Sequence, residues 1–306
     1  MKYLKSFKWS NLRETIVPHA AWEMVLMRAF LLWPFWIVVQ RTVQGTQPRP
    51  NGIAHFVDLT WLANPSAQMV LNGVFWIAGV LFVSGRAMIP ALAAISAILV
   101  AKGTLINSQG ATNHALQLIT LVSLTMLAAY CFRWKRGWTR HESHVRAVHW
   151  AKVMIAASYV SAAVCKLFAS SEFWIARVPY MALQILKSNL QTYYTNLENQ
   201  SPVAQNFAYW IVEHPHLARM LFGAGLLLEL LCFLALINRW WALFIGLGMV
   251  GMHWMIHVVM SLEFKHHVYL LLIFYVNAPW LLYAGWNWLR GGREKRSHAV
   301  VSAEVS

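Results

Sequence analysis

The sequence predicts an all-α fold, a polytopic transmembrane helix bundle of about eight spans with an amphipathic interfacial helix on its outer face. Three observations predict it. Of 306 residues, 58% are hydrophobic and 12% charged, and mean hydropathy is +0.47, more apolar than a soluble domain of this length. Apolar runs close to the ~20 residues that a bilayer requires recur along the chain. Seventeen Trp and ten Tyr suit aromatic belts at two membrane–water interfaces. The lipid bilayer is therefore the first expected partner, and the formal charge of +14 needs no nucleic acid if basic residues gather in loops on one side. Cys131, Cys165 and Cys232 have no CxxC spacing, so neither a disulfide framework nor a zinc site is signalled.

Residues 1–20 form a basic leader (Lys2, Lys5, Lys8, Arg13) without an apolar h-region, so no cleavable signal peptide is expected. The bundle itself is expected over 21–286. Its first span, about 21–43, is interrupted by Glu23, Arg28 and Pro34. A Pro- and Gly-rich loop with His55 and Asp58 leads to spans at about 67–85 and 87–106. A polar stretch from Lys102 to His114 follows, containing Asn107, Gln109 and Asn113. The fourth span ends near Phe132 in a basic loop (Arg133, Lys135, Arg136, Arg140, Arg146), and the fifth covers about 147–169. Trp174, Val178, Met181 and Ile185 recur at helical spacing with Arg177, Gln184, Lys187 and Gln191 between them, which predicts an amphipathic helix on the membrane surface. Further spans are expected at about 217–237, 240–262 and 267–286. Residues 287–306 read as a basic, disordered tail.

With the N-terminus inside, most of the twenty-five Lys and Arg fall on one side, which favours both termini in the cytoplasm. A bacterial inner membrane is the expected setting. The same topology gathers His55, His114, His214, His216, His253, His257, His266 and His267 at the outer end, with Asp58, Lys102, Asn113, Lys166, Glu172 and Glu263. Lys166 lies near the exit of the fifth span. An ionisable residue there is a functional candidate, with snorkelling to the headgroups as the alternative. Convergence of so many polar groups favours function.

His253 and His257, four apart, are expected to share one helix face. A hydrogen-bonded structural pair, proton transfer or substrate binding, and a metal or haem site all stay open. His253-Trp-Met-Ile-His257 lacks the glutamate of a zincin motif. His141-Glu-Ser-His144 reads as a solvated cytoplasmic segment. Arg28 and Glu229, the two deepest charges, are expected to form a structural ion pair. Gly246-Leu-Gly248-Met-Val-Gly251 matches GxGxxG in letters only, because no strand precedes it, and predicts close helix packing. No paired Gly/Pro-broken repeats speak for a transporter.

The string Tyr159-x6-Lys166-Leu167, followed by Trp174, resembles a segment of the HTTM (horizontally transferred transmembrane) domain, which vitamin K-dependent gamma-glutamyl carboxylases also carry. Arg28, Asn113-His114, Glu229 within Leu-Leu-Leu-Glu-Leu-Leu, and His253 are similar in order. Together they cover about residues 20–285. The resemblance implies that Lys166 is a base acting on a quinone-type ligand in its hydroquinone form. His114 and Asn113 would stabilise the oxyanion, His253 and His257 would move protons, and His55, Trp174, Glu263 and His267 would line the ligand. The enzyme would then be a gamma-carboxylase-like lyase or a quinol-linked oxidoreductase. Two other functions follow from the same residues. One is a non-enzymatic maturation or docking factor for a secreted peptide or protein, using the amphipathic helix. The other is electron transfer through haem on His253 or His257.

Overall fold

The computed structural model describes residues 19–110, 114–169, 174–197 and 201–286. Most of the basic leader and the whole 287–306 tail lie outside the described residues. The chain folds into helices α1 (Ala21–Gln40), α2 (Pro65–Ser84), α3 (Met88–Asn107), α4 (His114–Arg136), α5 (Arg140–Ala169), α6 (Met181–Asn196), α7 (Pro202–Glu213), α8 (Pro215–Leu230), α9 (Arg239–Met260), α10 (Lys265–Leu271) and α11 (Ala278–Trp286). No strand occurs among the described residues. Seven helices are long and apolar enough to cross a membrane, and the pair Lys265–Val276 plus Ala278–Trp286, bent by 44°, makes up to eight. This is an integral, multi-pass, all-α membrane protein.

Each helix shows why it forms. In α1, Met24, Met27, Leu31, Phe35 and Val38 are buried, a three-to-four-residue period that faces the bundle, while Phe30 and Trp33 are exposed on the opposite side to meet lipid. Asn64 caps α2 by accepting from Ser66 N at 2.9 Å, with Pro65 in its first turn. Gly85, at φ +69°, ends that helix in the left-handed conformation glycine favours. Helix α3 packs against α1, α2 and α4, and its Leu92, Ile95 and Leu99 are fully buried.

Two boundaries differ from expectation. Helix α5 starts at Arg140, earlier than the apolar run suggests, because Thr139 and Glu142 form a capping box: Thr139 N donates to Glu142 at 2.8 Å and Glu142 N donates to Thr139 Oγ1 at 3.2 Å. Helix α7 falls between the amphipathic segment and the span expected at about 217–237, where no element is expected. Ser201 caps it, Pro202 opens it, and Ala204, Ala208 and Ile211 are buried along one stripe.

The amphipathic segment is divided. A 3₁₀ turn over Trp174–Tyr180 contains Pro179, and α6 follows. Its apolar stripe packs on protein: Val178, Ala182 and Ile185 form a cluster with Ala204, Ala208 and Ile211 of α7, Ala218 of α8, and Val259 and Met260 of α9. This α6–α7 hairpin closes one end of the bundle, called the cap end below. The α2–α3, α4–α5 and α8–α9 connections lie at the other, the turn end.

Helix α9 packs tightly on the broken span. A Cβ built on Gly246 would lie 2.9 Å from Tyr275 Cβ and 3.1 Å from Val276 N, so only glycine admits this approach. A Cβ on Gly248 would meet Leu228 Cδ2 at 3.2 Å, whereas one on Gly251 would meet open space. The packing expectation thus holds for the first two glycines and not the third. Residues Leu272–Val276 form a π-helical turn, and Asn277 follows at φ +51°. Glu23 gathers the elements around that break. It accepts from His19 at 2.6 Å, Ala20 N at 3.1 Å, Arg239 at 3.1 Å, and the Asn277 amide.

Candidate functional site at the cap end

Lys166 is in the last turn of α5 and Glu229 in the last turn of α8. The two helices contact each other, and α5 ends at the cap end where α8 begins, so they run antiparallel. Helical side chains lean toward their own N-terminus, and these two therefore lean toward each other. Lys166 Nζ donates to both Glu229 oxygens, at 2.7 and 2.6 Å. The Lys166 side chain is 37% exposed and that of Glu229 9%. The Trp174 ring lies 5.8 Å from Nζ, a cation–π distance.

The expected Arg28–Glu229 pair does not form. Arg28 leans toward the start of α1, at the turn end, while Glu229 leans toward the start of α8, at the cap end, so the two charges diverge. The Arg28 guanidinium instead lies 3.3 Å from His144 Nδ1, and Glu229 takes Lys166.

Tyr159 sits two turns before Lys166 on the same face of α5. Its hydroxyl is 2.6 Å from His253 Nε2, and both residues are buried. The His253 ring stacks on Phe264 at 4.9 Å and approaches His267 at 5.5 Å, while Tyr159 and His267 meet edge-on at 6.0 Å. His253 Nδ1 is buried without a hydrogen-bond partner among the described residues. Glu229 is within electrostatic reach of Tyr159, and Lys166 of His253, so the ion pair and the Tyr–His pair form one cluster.

The chain matches no family model, no curated protein and no solved structure.

Of the residues the sequence nominates, the fold brings together Lys166, Trp174, Glu229, His253 and His267. It separates others. His257 is exposed while His253 is buried, and His253 Nε2 is already bonded to Tyr159. His267, from the start of α10, is the neighbour His253 has instead. His55 is exposed in a 3₁₀ turn, and Glu263 is exposed and paired with Lys265 at 2.7 Å. Asp58, in the same loop as His55, accepts from Thr60 N and Oγ1 at 2.8 and 2.7 Å, which holds its carboxyl below the usual range. Lys102 is buried but structural: Nζ donates to Arg41 O, the C-cap carbonyl of α1, and to Gln68 Oε1, a side-chain amide on α2, both at 2.8 Å, so it ties the end of α1 to α2. His114 opens α4. Asn113 and Glu172 lie outside the described residues.

Sequence reasoning missed Tyr159 as a hydrogen-bonding member and Phe264 as the ring beneath His253. The signal for Tyr159 was present in its seven-residue offset from Lys166, two helical turns on one face. Nothing local marks Phe264, which reaches the cluster through the turn between α9 and α10.

Proposed function

We propose that this protein is an HTTM/vitamin K-dependent gamma-carboxylase-like integral membrane protein whose cap-end cluster performs acid–base chemistry on a hydroxyl-bearing, lipid-soluble ligand of the quinol class. The observation that carries the proposal is the Lys166–Glu229 pair: a bidentate pair with an accessible cation and a buried carboxylate behind it. A ligand hydroxyl approaching Nζ gives its proton to Lys166 as Lys166 gives one to Glu229. The proton comes to rest on the carboxylate, and the ammonium charge stays beside the new oxyanion and stabilises it. His253 Nδ1 supplies a second hydrogen-bonding position. Leaving such a nitrogen unsatisfied costs about 1–3 kcal/mol, which a ligand oxygen would offset. Trp174 and Phe264 offer apolar ring surface to the rest of the ligand.

Orientation follows from charge. Arg86, Arg133, Lys135, Arg136, Arg140 and Arg239 cluster at the turn end, so that end belongs in the cytoplasm and the site faces the outer leaflet, with a bacterial inner membrane as the setting. A photoreactive hydroquinone analogue tests the proposal. Crosslinks should fall near Trp174 and Phe264, should be competed by unlabelled hydroquinone, and should be lost in Lys166→Met and His253→Gln proteins that still fold. Crosslinks elsewhere, or indifferent to both changes, would refute it.

One observation favours a second reading, docking of a secreted peptide or protein. The cap exposes Tyr180, Leu183, Tyr194 and Tyr209, a larger apolar surface than a solvated hairpin needs. A partner released by Leu183→Asp and Tyr209→Asp but retained by Lys166→Met would favour it.

A further inference from the structure

The turn end holds a second cluster, apart from the cap-end site. A cavity of about 540 Å³ opens between the α2–α3 and α4–α5 connections, lined by Arg86, Met88, Ile89 and Pro90 from the α2–α3 turn and the start of α3, and by Tyr130, Arg133, Arg140 and His144 from α4 and α5. His144, expected to be solvated, is held by the Tyr130 hydroxyl at 2.6 Å. Arg28 lies behind it, 6% exposed, bonded to His144 and packed against Gly85, where a Cβ would meet its Nη1 at 2.7 Å. The Arg28 Nε is buried without a hydrogen-bond partner among the described residues.

None of Arg28, Arg86, Arg133 and Arg140 forms an ion pair among the described residues. Glu142, the acid nearest in sequence, is taken up by the capping box with Thr139. A guanidinium buried beside neutral partners is costly, and its neighbours are further cations. Helix α3 adds to the same field. Ala87 precedes it at φ +46° with no side-chain cap, and Met88 and Ile89, whose N–H groups have no intrahelical acceptor, line the cavity.

We propose that this cavity is a binding site for a phosphate-bearing anion, held by Arg86, Arg133 and Arg140 at its mouth, with Arg28 behind them as the buried charge the anion balances. Arginine forks suit phosphate oxygens geometrically, and the uncapped α3 N-terminus adds donors. The phosphate can come from a lipid headgroup, whose glycerol and chains would lie along Met88, Ile89 and Pro90, or from a soluble phosphate.

The test uses the full-length protein in a mild detergent. Native mass spectrometry compares retention of phosphatidylglycerol and phosphatidylcholine, and a parallel thermal-unfolding series compares inorganic phosphate with chloride at equal ionic strength. Wild type should retain one phosphatidylglycerol in preference to phosphatidylcholine by about tenfold. That preference should vanish in Arg86→Gln/Arg140→Gln, both exposed, and persist in Lys135→Gln/Arg136→Gln, which changes charges at the same end outside the cavity. If the double variant does not fold, Arg86→Glu at the exposed turn carries the same expectation. Saturable stabilisation by phosphate that depends on Arg86 and Arg140, without lipid preference, would assign the site to a soluble phosphate. No response to either probe, or equal loss in both double variants, would overturn the proposal.

Discussion

The Lys166–Glu229 pair makes an asymmetric prediction about stability. Substituting Glu229 with Gln leaves a lysine that is already 37% exposed and can turn outward, so the loss should be near that of an exposed pair, about 1 kcal/mol. Substituting Lys166 with Met strands a carboxylate that is 9% exposed. Breaking a fully buried pair costs about 3–5 kcal/mol, and water entering along the Lys166 side reduces this to about 2–3 kcal/mol. The double variant carries no stranded charge and should lose no more than about 1 kcal/mol relative to wild type, which gives a coupling energy of about 2–4 kcal/mol. Reversible unfolding in mixed micelles with increasing denaturing detergent measures all four proteins. A coupling below about 0.5 kcal/mol, or a larger loss for Glu229→Gln than for Lys166→Met, would rule out an accessible lysine backed by a buried carboxylate.

Three other outcomes follow from the same geometry. Gly246→Ala should cost about 2 kcal/mol in the same assay, because its Cβ would press on Tyr275 Cβ and Val276 N and backbone cannot yield as a side chain can; an unchanged midpoint would contradict the close approach of α9 and the broken span. Tyr159→Phe should cost about 1–3 kcal/mol by leaving His253 Nε2 unsatisfied in a buried site, with much of the loss recovered when His253 is also made Leu. His19, just ahead of α1, has its imidazole pushed below the ordinary range mainly by burial, against the pull of Glu23. The unfolded chain therefore binds more protons than the folded one below about pH 6.5, and the contribution of His19 should be present above that pH and fade as pH falls. A pH series comparing wild type with His19→Gln checks this, and identical slopes would count against it.

The spans were legible because membrane helices must be long, apolar and internally hydrogen-bonded, so composition alone locates them. Boundaries were less so. The polar first turns of α5 and the short α7 are set by Thr139, Glu142 and Ser201 capping, which an apolar window cannot see. The polar partners were the hardest to read. Arg28 and Glu229, as the two deepest charges, looked like partners, yet side-chain lean sends them to opposite ends and gives Glu229 to Lys166. Likewise, the four-residue offset made His253 and His257 look like partners, but His253 is buried against Tyr159 and His257 is exposed. Segments distant in sequence, such as Phe264 and His267, entered the site through tertiary packing that no local pattern encodes.

The proposed role of Lys166 and its neighbours is to hold a hydroxyl-bearing, lipid-soluble ligand. Mass spectrometry of organic extracts from protein purified out of its native membrane tests this most directly, with Lys166→Met as the matched control. A quinol-class compound should be retained by wild type and depleted in Lys166→Met at equal folded yield. Extracts that do not differ between the two proteins would contradict it.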